Sequence, residues 1–310
     1  MATPLNLKEL SKKEDLLTHG HRMCSGCGAP SVVKMVLLAT EYPVIASNAT
    51  GCLEVSTCIS EYTAWRIPWI HTAFENAAAT LSGVETMYRS LKKQGKIDKD
   101  VKFIAFGGDG GTYDIGFQSL SGAMERGHDM IYICYDNGAY MNTGIQRSSA
   151  TPLGADTTTC PAGSVIPGKL RPRKNLTKIM AAHNIPYAAQ ASPSHWMDLM
   201  KKVRKAHETQ GPKFINILSP CNRGWRSKTN DAITLSRIAV NSCYWPLYEI
   251  EDGVTKITYT PKEKQPVTDF MKPQGRFKHL FEPQNEWLLN KMQEEVDAEW
   301  AKLLKESKTD

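Results

Sequence analysis

The sequence predicts an α/β protein: a doubly wound, mostly parallel sheet followed by a C-terminal extension. Apolar strand-like runs alternate with helix-like runs over most of the chain, a spacing that gives parallel strands covered by helices on both faces. With 310 residues, the chain can bury one large core or two modest ones. Beyond about residue 228 the alternation stops and Arg-, aromatic-, Pro- and Lys-bearing sequence begins. The implied division is a cofactor-binding domain over 1–227 and an extension over 228–310 that packs on the core or on a partner subunit.

After a charged leader and a C-x-x-C pair, "APSVVKMVLLAT" (29–40) reads as a buried helix, with Pro30 in its first turn. "PVIASNATGC" (43–52) reads as a buried strand ending in a small-residue loop. The helix formers of 72–95 stop at Gly95, a natural terminator. "VKFIAFGGDGG" (101–111) is a strand running into a glycine loop, 115–127 a helix and 129–137 a strand. An amphipathic helix over 194–211 precedes the strand "KFINILS" (213–219). Between them, 141–175 is rich in turn residues and lacks periodicity; a loop this long in a compact domain is usually functional. In the extension a hairpin is expected around Asp252-Gly253. A closing helix follows, whose stripe Leu289, Met292, Val296, Trp300, Leu303 suits a packing face. No internal repeat is visible.

Composition narrows the functional classes. Hydrophobic residues at 41% and charged at 23% describe an ordinary globular protein. The longest apolar runs fall far short of the roughly 20 residues of a membrane span. The leader lacks the apolar segment of a signal peptide, so the expected location is cytoplasmic, without a membrane partner. Net charge is +6 and dispersed, and "KKVRK" (201–205) is its densest cluster. No aromatic-interleaved basic stripe accompanies it, which argues against nucleic acid; an acidic protein partner remains compatible.

The chemistry begins at "GGDGGTYDIG" (107–116). Glycines 108, 110 and 111 let the backbone approach phosphate oxygens at a helix start. Asp109 in their midst departs from the dinucleotide fingerprint. A carboxylate facing a diphosphate repels it unless a hard cation lies between, and Mg²⁺ takes such mixed oxygen ligands. A second ligand should come from the next strand end, where Asn137 and a carbonyl near Ala139 stand in "YDNGAYMNTG". G-D-G with a spaced asparagine is the thiamine diphosphate motif; a tight turn with a capping aspartate is the plainer alternative.

Of eight cysteines, Cys134 reads as core. Cys24, Cys27, Cys52 and Cys221 lie at segment ends that one sheet edge can gather. Four thiolates suit zinc or a 4Fe–4S cluster. Single cysteines from distant loops favour the cluster, with unligated core cysteines as a third reading. Cys58, Cys160 and Cys243 suit packing.

The motifs "CSGCGAP", "NATGC", "GDGGTYDIG", "YDNGAYMNTG", "GIQRSSATP" and "SPCNRGW" occur in that order. Over roughly residues 18 to 250 the chain resembles the thiamine-binding β subunit of pyruvate:ferredoxin oxidoreductases, a plan shared by oxalate oxidoreductase. The resemblance implies the thiamine diphosphate-binding fold type, with Cys24, Cys27, Cys52 and Cys221 holding one 4Fe–4S cluster. It implies Asp109, Asn137 and the Ala139 main chain on Mg²⁺, and Asn142 beside the thiazolium. Thr50, Gly51 and the segment Phe74–Glu75–Asn76 would face the cofactor. It further implies an α subunit supplying the glutamate that activates the aminopyrimidine, for which Glu75 is the local rival. A ferredoxin-like subunit with two more clusters and a soluble ferredoxin would carry electrons away. The reaction implied is oxidative decarboxylation of a small 2-oxoacid, with pyruvate needing coenzyme A, or of oxalate, without it. Asn142 and Arg147 are the local candidates for polar substrate contacts, Arg147 equally for a structural ion pair. One departure bears on the substrate: many pyruvate-cleaving members carry Glu where this chain has Gly138. A non-oxidative thiamine enzyme with structural zinc and a non-catalytic scaffold are the competing readings.

Overall fold

The computed structural model describes residues 4–59 and 61–307. Eight strands form its main sheet: β1 (Val44–Ala49), β2 (Trp69–Thr72), β3 (Lys102–Gly108), β4 (Ile131–Asp136), β5 (Tyr187–Ala191), β6 (Lys213–Leu218), β7 (Leu247–Glu251) and β8 (Val254–Tyr259). Their order across the sheet is β8-β7-β5-β6-β4-β3-β1-β2. From β2 to β5 every neighbouring pair is parallel, whereas β7 runs antiparallel to both β5 and β8.

Alternate strand residues feed opposite faces, as the two-residue period of a strand requires. Ile104, Phe106, Ile133 and Ile215 pack with Val32, Val33 and Val36 of the helix Gly28–Ala39 and with Leu199 and Val203 of the helix Trp196–Glu208. On the other face Phe103, Ala105, Tyr132 and Phe214 meet Leu81 of the helix Ala77–Lys93 and Leu120 of the helix Phe117–Glu125. Each fully buried Leu, Ile or Phe contributes about 1.5–3 kcal/mol. The doubly covered sheet is therefore the main stabilising body of the protein.

The structure differs from the sequence-based expectation in two places. The helix expected over 72–95 starts at Ala77, because Thr72 belongs to β2 and a turn intervenes. The strands β2 and β5 were not anticipated; "WIHT" is too short, and "YAAQA" too poor in β-branched residues, to carry a strand signal. The residues from 228 onward are woven into the core. The β7–β8 hairpin pairs with β5, and its turn residues Asp252 and Gly253 both have positive φ (47° and 84°), as a type I′ turn needs. The closing helix Glu286–Glu306 buries Met292, Val296 and Leu303 against this same chain. Among the described residues no helix is long and apolar enough to cross a membrane.

His207, near the end of the helix Trp196–Glu208, is 2% exposed, and neither ring nitrogen has a hydrogen-bond partner among the described residues. Burial, with Lys213 and Lys102 adding to it, lowers its pKa from 6.5 to about 3. Below pH 6.5 the unfolded chain therefore takes up a proton that the folded chain refuses, so stability is full above 6.5 and falls as pH drops toward 3. The slope from this residue should reach about 1.4 kcal/mol per pH unit. Urea denaturation of the purified chain between pH 4 and 7 should show a distinctly flatter pH dependence for His207→Phe than for the wild type.

Candidate functional site

β6, β4, β3 and β1 are neighbours and parallel, so their carboxyl ends share one edge. Cys221, Asn137, Asp109 and Cys52 all lie just beyond those ends. Asp109 follows β3 and leads directly into a π-helical turn, Gly110–Ile115. Its carboxylate is fully buried. One oxygen accepts from the Ser148 hydroxyl at 2.5 Å and the other from the Asn137 backbone N–H at 3.2 Å. Among the described residues no cation pairs with it. Burial, with the neighbouring Asp136 adding repulsion, pushes its pKa up to about 8.

The tip of the Asn137 side chain lies 2.9 Å from Asp109 Oδ1 and 2.9 Å from the Ala139 carbonyl. Turned over, the amide would donate to both; as it stands, three oxygens face one another. Three oxygens converging in this way are a donor set that suits a hard cation, in whose absence the amide would turn over. Adjacent oxygens around Mg²⁺ stand about 2.9 Å apart, given Mg–O distances of about 2.0–2.1 Å. The spacing fits that ion, and a cation here would offset the buried carboxylate's charge.

Beside these oxygens is a small cavity of about 30 Å³ lined by Thr50, Gly51, Gly108, Gly110, Gly111 and Asn137, together with Ala139 and Asn142. Most of the cofactor-facing residues expected from the sequence thus border one space, whereas Asp109, Glu75 and Asn76 do not. Tyr140 closes over Gly110 so tightly that a Cβ there would lie 2.4 Å from its ring. Asn142 is exposed at the rim. Phe74 lines the cavity, but Glu75 is exposed and does not. Arg147 is exposed, makes no ion pair with a described residue, and does not border the cavity either. A larger cavity of about 430 Å³ lies elsewhere, against Arg173, Tyr244, Trp245 and the closing helix. The small one is the candidate site, because Asn137 and Ala139 of the oxygen set border it.

The cysteine segments are tied together by backbone. The Cys27 N–H donates to the Cys24 carbonyl at 3.0 Å, and the Gly28 N–H donates to the Pro220 carbonyl at 2.9 Å. Gly26 has φ 79°, and a Cβ there would strike the Thr229 carbonyl. The Cys221 sulfur accepts from the Gly224 N–H at 3.3 Å, and Cys52 opens the helix Cys52–Thr57. Burial raises Cys27 to about 12 and Cys52 to about 11, and raises Cys221 as well. Smaller contributions come from the other cysteines, Cys221, Cys52 and Cys24, which lie within electrostatic reach of Cys27. Yet among the described residues no three His, Cys, Asp or Glu side chains are gathered closely enough to hold one metal ion. Cys134 and Cys243 are buried in the core, and Cys58 and Cys160 are half-buried elsewhere.

Comparison with known proteins agrees with this geometry. The model of the thiamine pyrophosphate enzyme C-terminal TPP-binding domain matches residues 49–217. Pyruvate synthase subunit PorB of Thermotoga maritima is 52% identical over 97% of this chain and 96% of that protein. The chain belongs to the PorB family. It is a subunit of a multi-subunit 2-oxoacid:ferredoxin oxidoreductase and carries its thiamine pyrophosphate-binding domain. The PorB of Methanocaldococcus jannaschii is 56% identical over 86% of this chain and 91% of its own. Ketoisovalerate oxidoreductase subunit VorB of Pyrococcus abyssi is 42% identical over 92% of this chain and 91% of that protein. In fold, a 2-oxoglutarate:ferredoxin oxidoreductase from Magnetococcus marinus aligns with TM-score 0.53 and 20% identity, covering 69% of this chain and 76% of that one.

Sequence reading missed three site residues. Tyr135 borders the cavity with its hydroxyl unpartnered among the described residues; in a buried strand nothing sets it apart from a core tyrosine. Ser148 lies in the long loop 141–175, whose length was the available signal, and Tyr140 stands just before it in the motif "YDNGAYMNTG". Gly110→Ala should displace Tyr140 and weaken thiamine pyrophosphate binding at least about tenfold, ~1.4 kcal/mol. Calorimetric titration of the assembled enzyme checks this, with circular dichroism showing the fold retained.

Proposed function

We propose that this chain is the catalytic β subunit of a pyruvate:ferredoxin oxidoreductase, converting pyruvate and coenzyme A to acetyl-coenzyme A and CO₂ with ferredoxin as electron acceptor. The observation that carries the reading is the placement on one sheet edge of Asp109 and Asn137, just after β3 and β4, with Cys52 and Cys221, just after β1 and β6.

In this reading Asp109, Asn137 and the Ala139 carbonyl hold Mg²⁺, and the backbone at Gly108, Gly110 and Gly111 gives the diphosphate close access. Thiamine pyrophosphate supplies a nucleophilic carbon and an electron sink for decarboxylation. Asn142 stands at the cavity rim, where it can hydrogen-bond the substrate's oxygens. Cys24, Cys27, Cys52 and Cys221 hold one 4Fe–4S cluster as the first electron acceptor. A single zinc ion would need sulfurs about 3.8 Å apart, the tetrahedral edge for Zn–S of about 2.3 Å. Four thiols that sense one another without forming so tight a group suit a larger inorganic core.

An α subunit completes the cofactor site and supplies the pyrimidine-activating glutamate, since Glu75 is exposed and off the cavity. A ferredoxin-like subunit with two further clusters and a soluble ferredoxin then take the electrons. Pyruvate is favoured over oxalate by the PorB relatives, and Gly138 leaves the three-oxygen set intact.

The test is a substrate panel on the anaerobically reconstituted complex. Dye reduction should require coenzyme A and be fastest with pyruvate, ahead of 2-oxoisovalerate and oxalate. Metal analysis should give about four irons for this chain's cluster, lost in Cys221→Ala. Oxalate oxidation without coenzyme A would overturn the substrate, and a colourless zinc protein the electron path.

A further inference from the structure

Arg276 lies in the 3-10 turn Gly275–Phe281 of the C-terminal extension and is 3% exposed. Its Nε donates to Gln274 Oε1 at 2.9 Å. Its guanidinium stacks on two rings, 4.4 Å from Trp225 and 4.9 Å from Phe277. Nη1 has no hydrogen-bond partner among the described residues, and the guanidinium makes no ion pair with any of them. Burial lowers its pKa only to about 10, so it is charged at neutral pH. Taking a guanidinium out of water with no counter-ion is costly unless something else supplies the negative charge.

The surroundings identify that charge. The two carboxylates that reach Arg276 are already committed: Asp136 to Arg173 at 2.5 Å, and Asp109 to the three-oxygen set. The remaining acidic groups it senses are the Tyr244 phenol and the Cys221 thiol. Trp225, against which Arg276 stacks, ends the short helix Asn222–Trp225 that Cys221 caps. The Trp225 indole N–H donates to the Asn137 carbonyl at 2.6 Å, tying this helix to the oxygen set. Arg276 does not border the cofactor cavity, so it is not a substrate contact. On the far side Nη1 approaches Gly138, where a Cβ would lie 3.1 Å away.

We propose that Arg276 is a positioning residue whose buried guanidinium, stacked on Trp225 of the short helix that Cys221 caps, stabilises the reduced, more negative state of the cluster and so raises its reduction potential. This rests on the cluster assignment proposed above. Cluster potentials follow net charge and the surrounding hydrogen bonds, and a fixed cation in a low-dielectric pocket acts most strongly on the form with the extra electron. The extension thereby joins the electron path without touching the cofactor.

The experiment is an anaerobic potentiometric titration of the assembled enzyme followed by electron paramagnetic resonance. The wave absent from Cys221→Ala assigns this chain's cluster; if no wave is lost, the cluster assignment itself fails. In Arg276→Met that wave should move to more negative potential by at least tenfold in the reduction equilibrium, about 59 mV for one electron. In Arg276→Lys, which keeps the charge, it should stay within that interval of the wild type. An unmoved wave in Arg276→Met with iron content retained overturns the proposal, as does an equal shift in both variants. If Arg276→Met fails to hold iron while Arg276→Lys holds it at the wild-type potential, the charge requirement is supported. If neither holds iron, the role is packing and the proposal falls.

Discussion

Parallel pairing between β6, β4, β3 and β1 sets the position of everything functional in this chain, because parallel strands end on the same side. The register is specific: Asp136 sits opposite Leu218, Gly108 opposite Tyr135, and Asn48 opposite Phe106. With both faces of these strands buried, a slip of one residue would exchange the two apolar faces and move each strand-end residue by one pleat. Asp109, Asn137, Cys52 and Cys221 are thus placed by the same packing that stabilises the fold. Loss of sheet packing would scatter both donor sets together.

Two buried aspartates on that edge show how environment divides structural from functional charge. Asp136 accepts from the Tyr113 hydroxyl at 2.6 Å and pairs with Arg173, whose guanidinium stacks 4.7 Å from the Trp245 ring. Its charge is offset within the chain. Asp109 has only a hydroxyl and a backbone N–H, and it faces two further oxygens. A buried carboxylate supplied with dipoles but no cation is the charge that the proposed Mg²⁺ would offset. Arg276 presents the converse, a buried cation supplied with rings and one amide oxygen but no anion. The two unbalanced charges meet the Asn137–Gly138 turn, Asp109 by accepting from the Asn137 N–H and Arg276 by bringing Nη1 up to Gly138.

Much of the site was legible because its chemistry demands particular residue types at strand ends. A carboxylate among glycines has few uses, and a spaced asparagine narrows them further. Single cysteines at the ends of distant segments pointed to one sheet edge once the strands were placed. What was not legible follows from tertiary context. Tyr135 differs from Tyr132 only in which face of β4 it occupies, and Arg276 looks like any basic residue of a polar tail until Trp225 and Phe277 enclose it. β5 is built of small residues whose strand character comes from pairing with β6 and β7. The composition change near 228 marks a change of surface chemistry, while the sheet continues through it.

The size of the cofactor cavity carries the last step. Ligand sites enclose about 300–1,000 Å³, whereas the space beside the three oxygens is about 30 Å³. The cavity of about 430 Å³ does not make up the difference, because the cations around it are already paired: Arg173 with Asp136, Lys174 with Asp114 and Lys178 with Glu306. Asn142 and Thr143, which border the smaller cavity, are exposed where a substrate-binding loop would be expected to be covered. A surface that offers the proposed metal and diphosphate contacts in so little enclosed volume is half a site. In the proposed reading the remaining wall, with the pyrimidine-activating acid, comes from an α subunit over this edge, so that catalysis begins only when the complex is assembled.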